Sequence, residues 1–388
     1  MSVRVFAGRA ASSSRLRRTE VDGVDETRLM NRALELARRA EGAVAPRPPV
    51  GAVVVTDEGE IVGEGWTRRK PGPHAEAAAL EQAGARAHGA TVYVTLEPCT
   101  LEVSKPVSCA RLLIEAGVRR VVGSVNDPCP DIDGRGFAML RDAGVEVQTG
   151  AGEKEALALI EPFAKWIVTS QPFVTLKVAA SLDGKVAAAD GSSRWISGEA
   201  ARAEVHDLRR RADAVLVGSA TVVADDPALT FRTPGALATG GDQPLRVVLD
   251  ASGRTPVTAQ LFDDAAPTLV ITTDDVDERR VNAWLGAGAD VARAASGEGG
   301  VDLRAALDVL GERGICHVLV EPGPTLAASF VERRVVDRFL LYIAPKLIGG
   351  DAPGLLASGA KTIADAWSLL IEDVERVGDD LRIEAVMR

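Results

Sequence analysis

In the first part of the chain, segments whose apolar residues recur with a helical period are followed by short runs of consecutive apolar residues. The helical period begins near Thr27, and an apolar run at Val50–Val55 predicts a buried strand. Strands that alternate with helices predict an α/β fold with a mostly parallel sheet. Further helices are predicted from about Ala75, over Ser108–Ala116 and over Gly136–Ala143, and further strands at Thr91–Leu96, Arg120–Ser124 and Val145–Val147.

A second alternating pattern begins at Phe173, after a helix predicted over 153–169. The Gly-rich stretch 286–300 is predicted to be a loop. Neither half has a GxGxxG motif after its first strand, which argues against a classical dinucleotide-binding fold. The predicted strands are Phe173–Ala179, Ala214–Gly218, Leu245–Asp250, Thr268–Thr272, His317–Val320 and Arg338–Ile343, and the predicted helices are 199–211, 278–286, 302–312 and 325–333.

These patterns divide the chain into two domains, each long enough to bury a core. We predict a first domain at 26–150, a linker helix at 151–171 and a second domain at 172–388. Residues 1–25 are rich in Arg and Ser and lack the apolar segment of a secretory signal. We predict a disordered tail there, with an organelle transit peptide and a start-site artefact as alternatives.

Composition and charge narrow the class of protein. Of the 388 residues, 46% are hydrophobic and 26% charged, and the formal net charge is −10. An acidic chain has no broad electrostatic surface for nucleic acid, and no apolar run approaches the ~20 residues of a membrane span. The four cysteines are too few for a disulfide framework, so we expect a cytoplasmic protein and test cysteine pairs for metal binding.

The strongest local signal combines His74 and Glu76 with Cys99 and Cys109. One imidazole and two thiolates form a three-ligand zinc set that leaves a fourth position for water, which zinc activates near neutral pH. Glu76 lies two residues from His74 and is predicted to be the catalytic group that carries protons between water, ring nitrogen and leaving ammonia. The alternative is a chance histidine beside two core cysteines.

This part of the chain resembles the cytidine-deaminase superfamily and, within it, the riboflavin deaminases. The resemblance rests on RPPVGAVVV at 47–55, HAEA at 74–77, VTLEPC at 94–99 and NDPCPDIDGRG at 126–136. It implies a three-layer, zinc-dependent deaminase domain.

One stretch departs from that family. Nine residues separate the two cysteines, where the family has eight, and the usual His and Gly are missing. Lys105 remains four residues before Cys109, where the family has Arg or Lys. The resemblance implies that Lys105 contacts the substrate, while the rest of the substrate loop has been rewritten.

The second half carries a series of motifs that are weak one by one. GluProGlyProThrLeu at 321–326 predicts a strand–loop–helix junction whose free N–H groups receive a phosphate, with an ordinary helix start as the alternative. The motifs are VTLKVAASLDGK (174–185), SSRWISG (192–198), HDLR (206–209), VGSATVVADDPALTFR (217–232), PLRVVLD (244–250), LVEPGPTLAASF (319–330) and YIAPKLIGG (342–350).

In this order, the series resembles the riboflavin-pathway reductase, whose fold is dihydrofolate-reductase-like. Arginines suit a sugar phosphate because they bind it bidentately, although Arg209 also fits a solvated helix face with its two Arg neighbours. Pro322 stands where the family more often has Gly or Ala. The resemblance implies NADPH contacts from Ala179, Trp195, Thr221, Asp225, Gly323, Pro324, Thr325, Leu326, Ala327, Ala328 and Ser329, and substrate contacts from Ser193, Arg209, Leu229, Arg232 and Glu321.

The combined resemblance implies an enzyme of riboflavin biosynthesis with Zn²⁺ and NADPH as cofactors. A phosphoribosylated diaminopyrimidinone loses its 2-amino group, and its ribosyl group is then reduced to ribityl. We expect a small-molecule substrate, no nucleic acid, no membrane and a homo-oligomer. The alternatives are a reductase with an inactive or retargeted zinc domain, a nucleic-acid-modifying deaminase, and a non-catalytic zinc scaffold, which would be expected to use four protein ligands.

Overall fold

A computed structural model of the chain describes residues 25–100, 107–232 and 243–388. The predicted tail up to residue 24 lies outside the described residues. The first helix begins where the Asp25 side chain accepts a hydrogen bond from the Arg28 N–H. The first half contains α1 (Glu26–Arg38), β1 (Gly51–Val55), β2 (Ile61–Trp66), α2 (Ala75–Ala83), β3 (Thr91–Val94), α3 (Cys109–Glu115), β4 (Arg120–Gly123), α4 (Arg135–Asp142), β5 (Glu146–Thr149) and α5 (Glu153–Thr169).

The first sheet has the strand order β2-β1-β3-β4-β5 and is mixed. β1 runs antiparallel to both β2 and β3, whereas β3, β4 and β5 are parallel. β2 therefore runs in the same direction as β3, β4 and β5, and the prediction of a mostly parallel sheet holds except for β1. The strand β2 was not predicted because it is Gly-rich and gives a weak strand signal, and the short connection between β1 and β2 makes these two strands an antiparallel hairpin.

Glycines allow helices to approach this sheet closely on both faces. A Cβ at Gly51 would come within 1.9 Å of the Ala33 carbonyl oxygen of α1, and a Cβ at Gly65 within 2.2 Å of the Ala75 carbonyl oxygen of α2. Gly51 and Gly65 occupy successive cross-strand positions, so their Cβ directions point to opposite faces. The sheet thus lies between helix layers, and the predicted three-layer arrangement is confirmed.

The second half begins at β6 and is built around a nine-stranded sheet of order β10-β9-β8-β7-β13-β6-β14-β16-β15. The strands from β10 to β14 in this order are parallel, and β16 and β15 complete the sheet antiparallel. The elements are β6 (Phe173–Ser181), α6 (Glu199–Arg211), β7 (Ala214–Gly218), α7 (Ser219–Asp225), β8 (Leu245–Leu249), β9 (Thr268–Thr272), α8 (Glu278–Gly286), β10 (Asp290–Arg293), β11 (Ser296–Gly297), β12 (Gly300–Val301), α9 (Leu303–Glu312), β13 (His317–Val320), α10 (Pro324–Glu332), β14 (Arg338–Ala344), β15 (Leu369–Val377) and β16 (Asp380–Met387).

The predicted strands and helices of this half agree with the structure to within about two residues at each end, the usual uncertainty of element boundaries. The loop predicted at 286–300 is wrong in part, because it contains the edge strand β10 and half of the small β11–β12 hairpin. The helix α7 and the hairpin β15–β16 were also missed. β15 is almost entirely exposed, so burial imposed no apolar alternation on its sequence.

The helix α5 contacts both halves of the chain. Ala156 and Ile160 belong to the apolar core of the first half. At its other end, the Trp166 indole N–H donates to the Gly311 carbonyl oxygen at 2.9 Å, and the Lys165 ammonium pairs with Asp337 at 2.6 Å. The segment predicted as a linker is therefore a packed helix. Among the described residues, none of the helices combines the length and the apolar character that a bilayer crossing requires.

Candidate active sites

The first candidate site lies where two helices begin beside the end of a strand. His74 is the N-cap residue of α2, Cys109 is the first residue of α3, and Cys99 follows β3. The His74 Nδ1 atom lies 3.4 Å from the Cys109 Sγ atom and 3.6 Å from the Cys99 Sγ atom. The three ligand atoms lie within 4.8 Å of one another. One nitrogen and two sulfur donors at this spacing fit Zn²⁺ with an open position.

Hydrogen bonds within this group prepare it for a cation. The hydrogen bond from the Cys109 thiol lowers the pKa of Cys99 to about 4, and the pKa of Cys109 is raised because it keeps the shared proton. The hydrogen bond to Cys99 in turn raises the pKa of His74. Thiolate character is what zinc binding requires.

Glu76 lies in the first turn of α2, two residues after His74, and its exposed fraction is 4%. Burial, followed by the nearby Cys99 sulfur, raises the pKa of Glu76 to about 7. A carboxyl group with a pKa near neutrality both accepts and releases a proton under physiological conditions. The structure therefore brings together the four residues that the first-half motifs singled out.

A buried carboxylate that the sequence analysis did not single out supports this site. Glu97 accepts four backbone N–H groups, from Asp127 at 3.0 Å, Gly134 at 2.8 Å, Gly136 at 2.7 Å and Phe137 at 3.3 Å. A Cβ at Gly136 would come within 2.0 Å of the Pro98 carbonyl oxygen. The segment before Cys99 is thus tied to the loop before α4. The signal was present in the Gly-rich segment 126–136, but only the fold shows what it contacts.

Lys105, the predicted substrate contact of this half, lies outside the described residues. Its role stays a prediction.

The second candidate site lies at the carboxyl ends of β7, β13 and β6, which are neighbours in the sheet. Ligands of open parallel sheets bind at this edge. The Arg209 guanidinium of α6 binds the Glu321 carboxylate through two hydrogen bonds of 2.6 and 2.9 Å, and it donates to the Thr230 carbonyl oxygen at 3.0 Å. Burial alone would raise the pKa of Glu321, but Arg209 outweighs it and lowers the pKa to about 2.

Lys177 is a functional candidate that the sequence analysis did not single out. It lies on β6, and its ammonium lies 5.6 Å from the centre of the Tyr342 ring. Burial lowers the pKa of Lys177, and the charge of Glu321 opposes that shift. A lysine within a mostly apolar strand was the available signal, but its role depended on the neighbouring strand β13, which Glu321 directly follows.

Two of the predicted NADPH contacts, Gly323 and Thr221, lie close together at the start of α10. A Cβ at Gly323 would lie 3.5 Å from the Thr221 hydroxyl of α7, and the Arg194 side chain binds the Asp225 carbonyl oxygen. Trp195 is 63% exposed, and the Arg202 guanidinium lies 4.7 Å from its ring centre. α10 begins with Pro324, so the first N–H groups of this helix point out of its end.

Within the predicted 323–329 segment, the residues differ in how exposed their side chains are. Thr325 is exposed, and Leu326 and Ser329 are half-buried. Ala327 and Ala328 are buried, and the Ala327 N–H donates to the Gly323 carbonyl oxygen within the helix.

The remaining predicted residues lie around the same edge. Ala179 and Ser193 are half-buried, and Arg232 is exposed. The side chain of Leu229 is buried in an apolar cluster, and its backbone has a φ of 53°. A substrate contact from Leu229 would therefore come from its backbone.

The turn after β6 is held to the loop after β14. The Asp183 carboxylate accepts hydrogen bonds from the Ser181 hydroxyl at 2.6 Å and from the Gly349 N–H at 2.7 Å. The Lys346 ammonium donates to the Trp195 carbonyl oxygen at 2.6 Å. These contacts explain why separate motifs in the sequence form one site.

The two halves together define an enzyme that joins a zinc-binding deaminase domain to a reductase domain. The profile of the cytidine and deoxycytidylate deaminase zinc-binding region matches residues 24–125, and that of the RibD C-terminal domain matches residues 172–382. The chain belongs to the RibD family of riboflavin biosynthesis proteins and has deaminase and reductase activities.

Full-length relatives support this assignment. The riboflavin biosynthesis protein RibD of Bacillus amyloliquefaciens is 41% identical over 92% of this chain and 95% of its own. That of Escherichia coli K12 is 41% identical over 92% of this chain and 98% of its own. The solved structure of Acinetobacter baumannii RibD aligns with a TM-score of 0.83 at 36% identity, over 94% of this chain and 99% of that one.

A structure from Thermotoga maritima, described as a diaminohydroxyphosphoribosylaminopyrimidine deaminase/5-amino-6-(5-phosphoribosylamino)uracil reductase, aligns with a TM-score of 0.82 at 33% identity. It covers 93% of this chain and 98% of its own. The predicted fold class and the predicted enzyme class are confirmed, and the residues present fit Zn²⁺ in the first half and NADPH in the second.

Proposed function

We propose that the first half hydrolyses the 2-amino group of a phosphoribosylated diaminopyrimidinone, and that the second half reduces the ribosyl group of the product to ribityl. The observation that carries this proposal is the His74, Cys99 and Cys109 group with Glu76 buried beside it, in a chain that matches the family across both domains. The test is ammonia release by the zinc-loaded protein without NADPH. Zinc retention and reductase activity without ammonia release would favour the reductase-only alternative.

In the deaminase reaction, a zinc ion held by these three residues supplies Lewis-acid activation of a water molecule. Glu76 would take one proton from the attacking water and deliver it to the ring nitrogen, and it would then take the remaining proton of that oxygen and pass it to the amino group, which leaves as ammonia. The raised pKa of its carboxyl supports this shuttle because both protonation states are accessible near neutrality.

In the reductase reaction, NADPH supplies a hydride to the sugar carbon that carries the amino group. Opening the ribose ring leaves an oxygen that needs a proton, and Lys177 donates it. Burial of the ammonium supports this role because it lowers the pKa of Lys177. Glu321, held by Arg209, orients the sugar through its hydroxyl groups.

The residues implied by the family resemblance complete this proposal. The N–H groups at the start of α10 support a phosphate of NADPH there, because a helix N-terminus favours an anion. NADPH contacts come from Ala179, Trp195, Thr221, Asp225 and the segment 323–329. Substrate contacts come from Lys105 in the first half and from Ser193, Arg209, Leu229, Arg232 and Glu321 in the second. We also propose the domain limits 26–150 and 172–388.

We further propose a cytoplasmic homo-oligomer. All four cysteines are free, which suits a reducing compartment. β15 ends the large sheet and exposes Leu370, Ile371 and Val374, so a second copy of the chain is the occupant that we propose for this edge. Ile371→Asp is expected to shift the sedimentation coefficient to that of a monomer. A monomeric wild-type protein, or an unchanged oligomer in the variant, would contradict this assembly.

A further inference from the structure

Two arginine side chains share the indole ring of Trp66, the last residue of β2. The Arg68 guanidinium carbon lies 3.5 Å from the centre of the Trp66 ring, and that of Arg39 lies 5.0 Å from it. Both arginines are exposed. Within the ranges that the structure describes, neither guanidinium makes a hydrogen bond or an ion pair with a carboxylate. Trp66 therefore holds two positive charges, and among the described residues neither of them is paired with a carboxylate.

The carboxylate of Glu64, which lies on the same strand as Trp66, is already paired with another arginine. Both carboxylate oxygens of Glu64 accept hydrogen bonds from Arg32, at 2.6 and 3.0 Å. Partial burial lowers the pKa of Arg68, and repulsion from the charge of Arg39 lowers it further. A bound anion would relieve this repulsion.

The loop that carries Arg68 leads directly to the zinc ligands. The Arg68 N–H donates to the carbonyl oxygen of Pro73, the residue before His74, at 2.9 Å. The Arg47 guanidinium donates to the carbonyl oxygens of Arg68 at 3.0 Å and Gly72 at 2.8 Å. Arg47 also interacts electrostatically with the thiols of the metal group. The Arg68 loop is thus joined by hydrogen bonds to the residue that precedes the zinc ligand His74.

The sequence between Cys99 and Cys109 has few positive charges for binding a phosphate, so we expect a phosphate contact elsewhere in this half. The stretch 100–108 contains a single cation, Lys105, and an opposing anion, Glu102. A phosphate monoester carries close to two negative charges at neutral pH and is bound best by bidentate guanidinium groups. By composition alone, one lysine and one glutamate offer such a group no net positive charge.

We propose that Arg39 and Arg68, held on Trp66, bind the phosphate of the deaminase substrate, and that Arg47 is a positioning residue for the Arg68 loop. This inference rests on the proposed function of the first half. The region around β2 would then provide recognition of the substrate phosphate that the stretch between Cys99 and Cys109 does not provide alone.

The test compares two substrates in the zinc-loaded full chain. Arg68→Gln and Arg39→Gln are assayed for deamination of the phosphorylated substrate and of its dephosphorylated analogue. Each variant is expected to raise KM for the phosphorylated substrate about tenfold, as expected for loss of a charged hydrogen bond, with kcat nearly unchanged. KM for the analogue should stay at the wild-type value. Arg86→Gln is the matched control, since Arg86 is exposed and pairs with Glu60 in the same half at 2.8 Å.

Two kinetic outcomes would overturn the proposal. The first is an unchanged preference for the phosphorylated substrate in both variants. The second is an equal loss with both substrates, which would indicate a structural effect on the loop.

A binding measurement separates this inference from the proposed function. Ribose 5-phosphate and ribose are titrated calorimetrically into the zinc-loaded chain carrying Arg232→Gln, which weakens the proposed phosphate contact of the reductase site. If the wild-type enzyme releases no ammonia, the proposed deamination fails. The phosphate site still stands if Arg39→Gln and Arg68→Gln each weaken ribose 5-phosphate binding about tenfold. Unchanged affinity in these variants would overturn it.

Discussion

The two active sites of this chain are assembled in different ways. All the proposed chemical groups of the deaminase site lie between His74 and Cys109, at two helix starts and one strand end. Those of the reductase site are spread from Lys177 to Ser329 and meet only because β6, β7 and β13 are neighbours in the sheet. A short segment of sequence therefore supplies the groups of the deaminase site, whereas the order of strands in the sheet brings together those of the reductase site. We therefore expect that a substitution in one site abolishes its activity and leaves the activity of the other site unchanged.

The largest effect is expected from Cys99→Ser. Most of the zinc should be lost because a hydroxyl replaces a thiolate ligand, and deamination should become undetectable. Reduction of the already deaminated substrate should stay near the wild-type rate. Elemental analysis and the two half-reactions measure this, with Cys129→Ser as the control, since Cys129 lies outside the metal group. Full zinc retention would remove Cys99 from the ligand set.

Glu76→Gln should keep the shape of the site and remove the proton shuttle. Deamination is expected to fall ~10²–10⁴-fold, the usual contribution of a general acid–base group. Zinc content and the reductase rate should be unchanged. A parallel fall of both half-reactions would contradict the independence of the two sites.

Glu321→Gln tests the group on which the reductase site depends. Arg209 would keep its charge in a buried position without a carboxylate to neutralise it, so unfolding of the second half should require about 3–5 kcal/mol less at neutral pH. The pKa of Glu321 is lowered to about 2 in the folded state, below the ordinary value of 4.5. Its stabilisation is therefore complete well above pH 4.5 and is lost as the pH falls toward 2.

Denaturant unfolding of wild type and Glu321→Gln at a series of pH values measures this effect. The difference between the two proteins should shrink as the pH falls. A constant difference would show that the charge of Glu321 is not what stabilises the pair.

Arg232→Ala should weaken substrate binding in the reductase half about tenfold, through loss of a charged hydrogen bond. The Kd for NADPH should not change, because Arg232 is proposed to contact the sugar phosphate. Binding of NADPH and KM for the pyrimidine are measured separately. A loss of NADPH affinity with unchanged KM would mean that the assigned roles are reversed.

The smallest effect is expected from Lys105→Ala. Because the loop around Lys105 lacks the family's His and Gly, deamination should be less efficient than reduction already in the wild type. The substitution should raise KM for deamination about three- to tenfold through loss of one point charge. Steady-state kinetics of both half-reactions measure it. Wild-type deamination by the variant would remove Lys105 from the site.

The sequence predicted much of the fold, and its failures have physical causes. Strands buried between helix layers, such as Ala214–Gly218, show continuous apolar runs and were predicted correctly. β2 was missed because Gly63 and Gly65 are selected for close contact with α2 rather than for strand propensity. β15 was missed because an exposed edge strand has no buried face to shape its sequence.

By itself, the sequence determined the metal group, the position of Glu76 beside it and the order of the two domains. Those features depend on residue types at short spacing, where the start of one helix fixes the geometry. The tertiary structure alone decided that Glu97 ties the Cys99 segment to the loop before α4, that Arg209 binds Glu321, and that the charge of Glu321 acts on Lys177. Such contacts join residues far apart in the chain. They depend on which strands become neighbours, and a local pattern of apolar and polar residues carries no information about that choice.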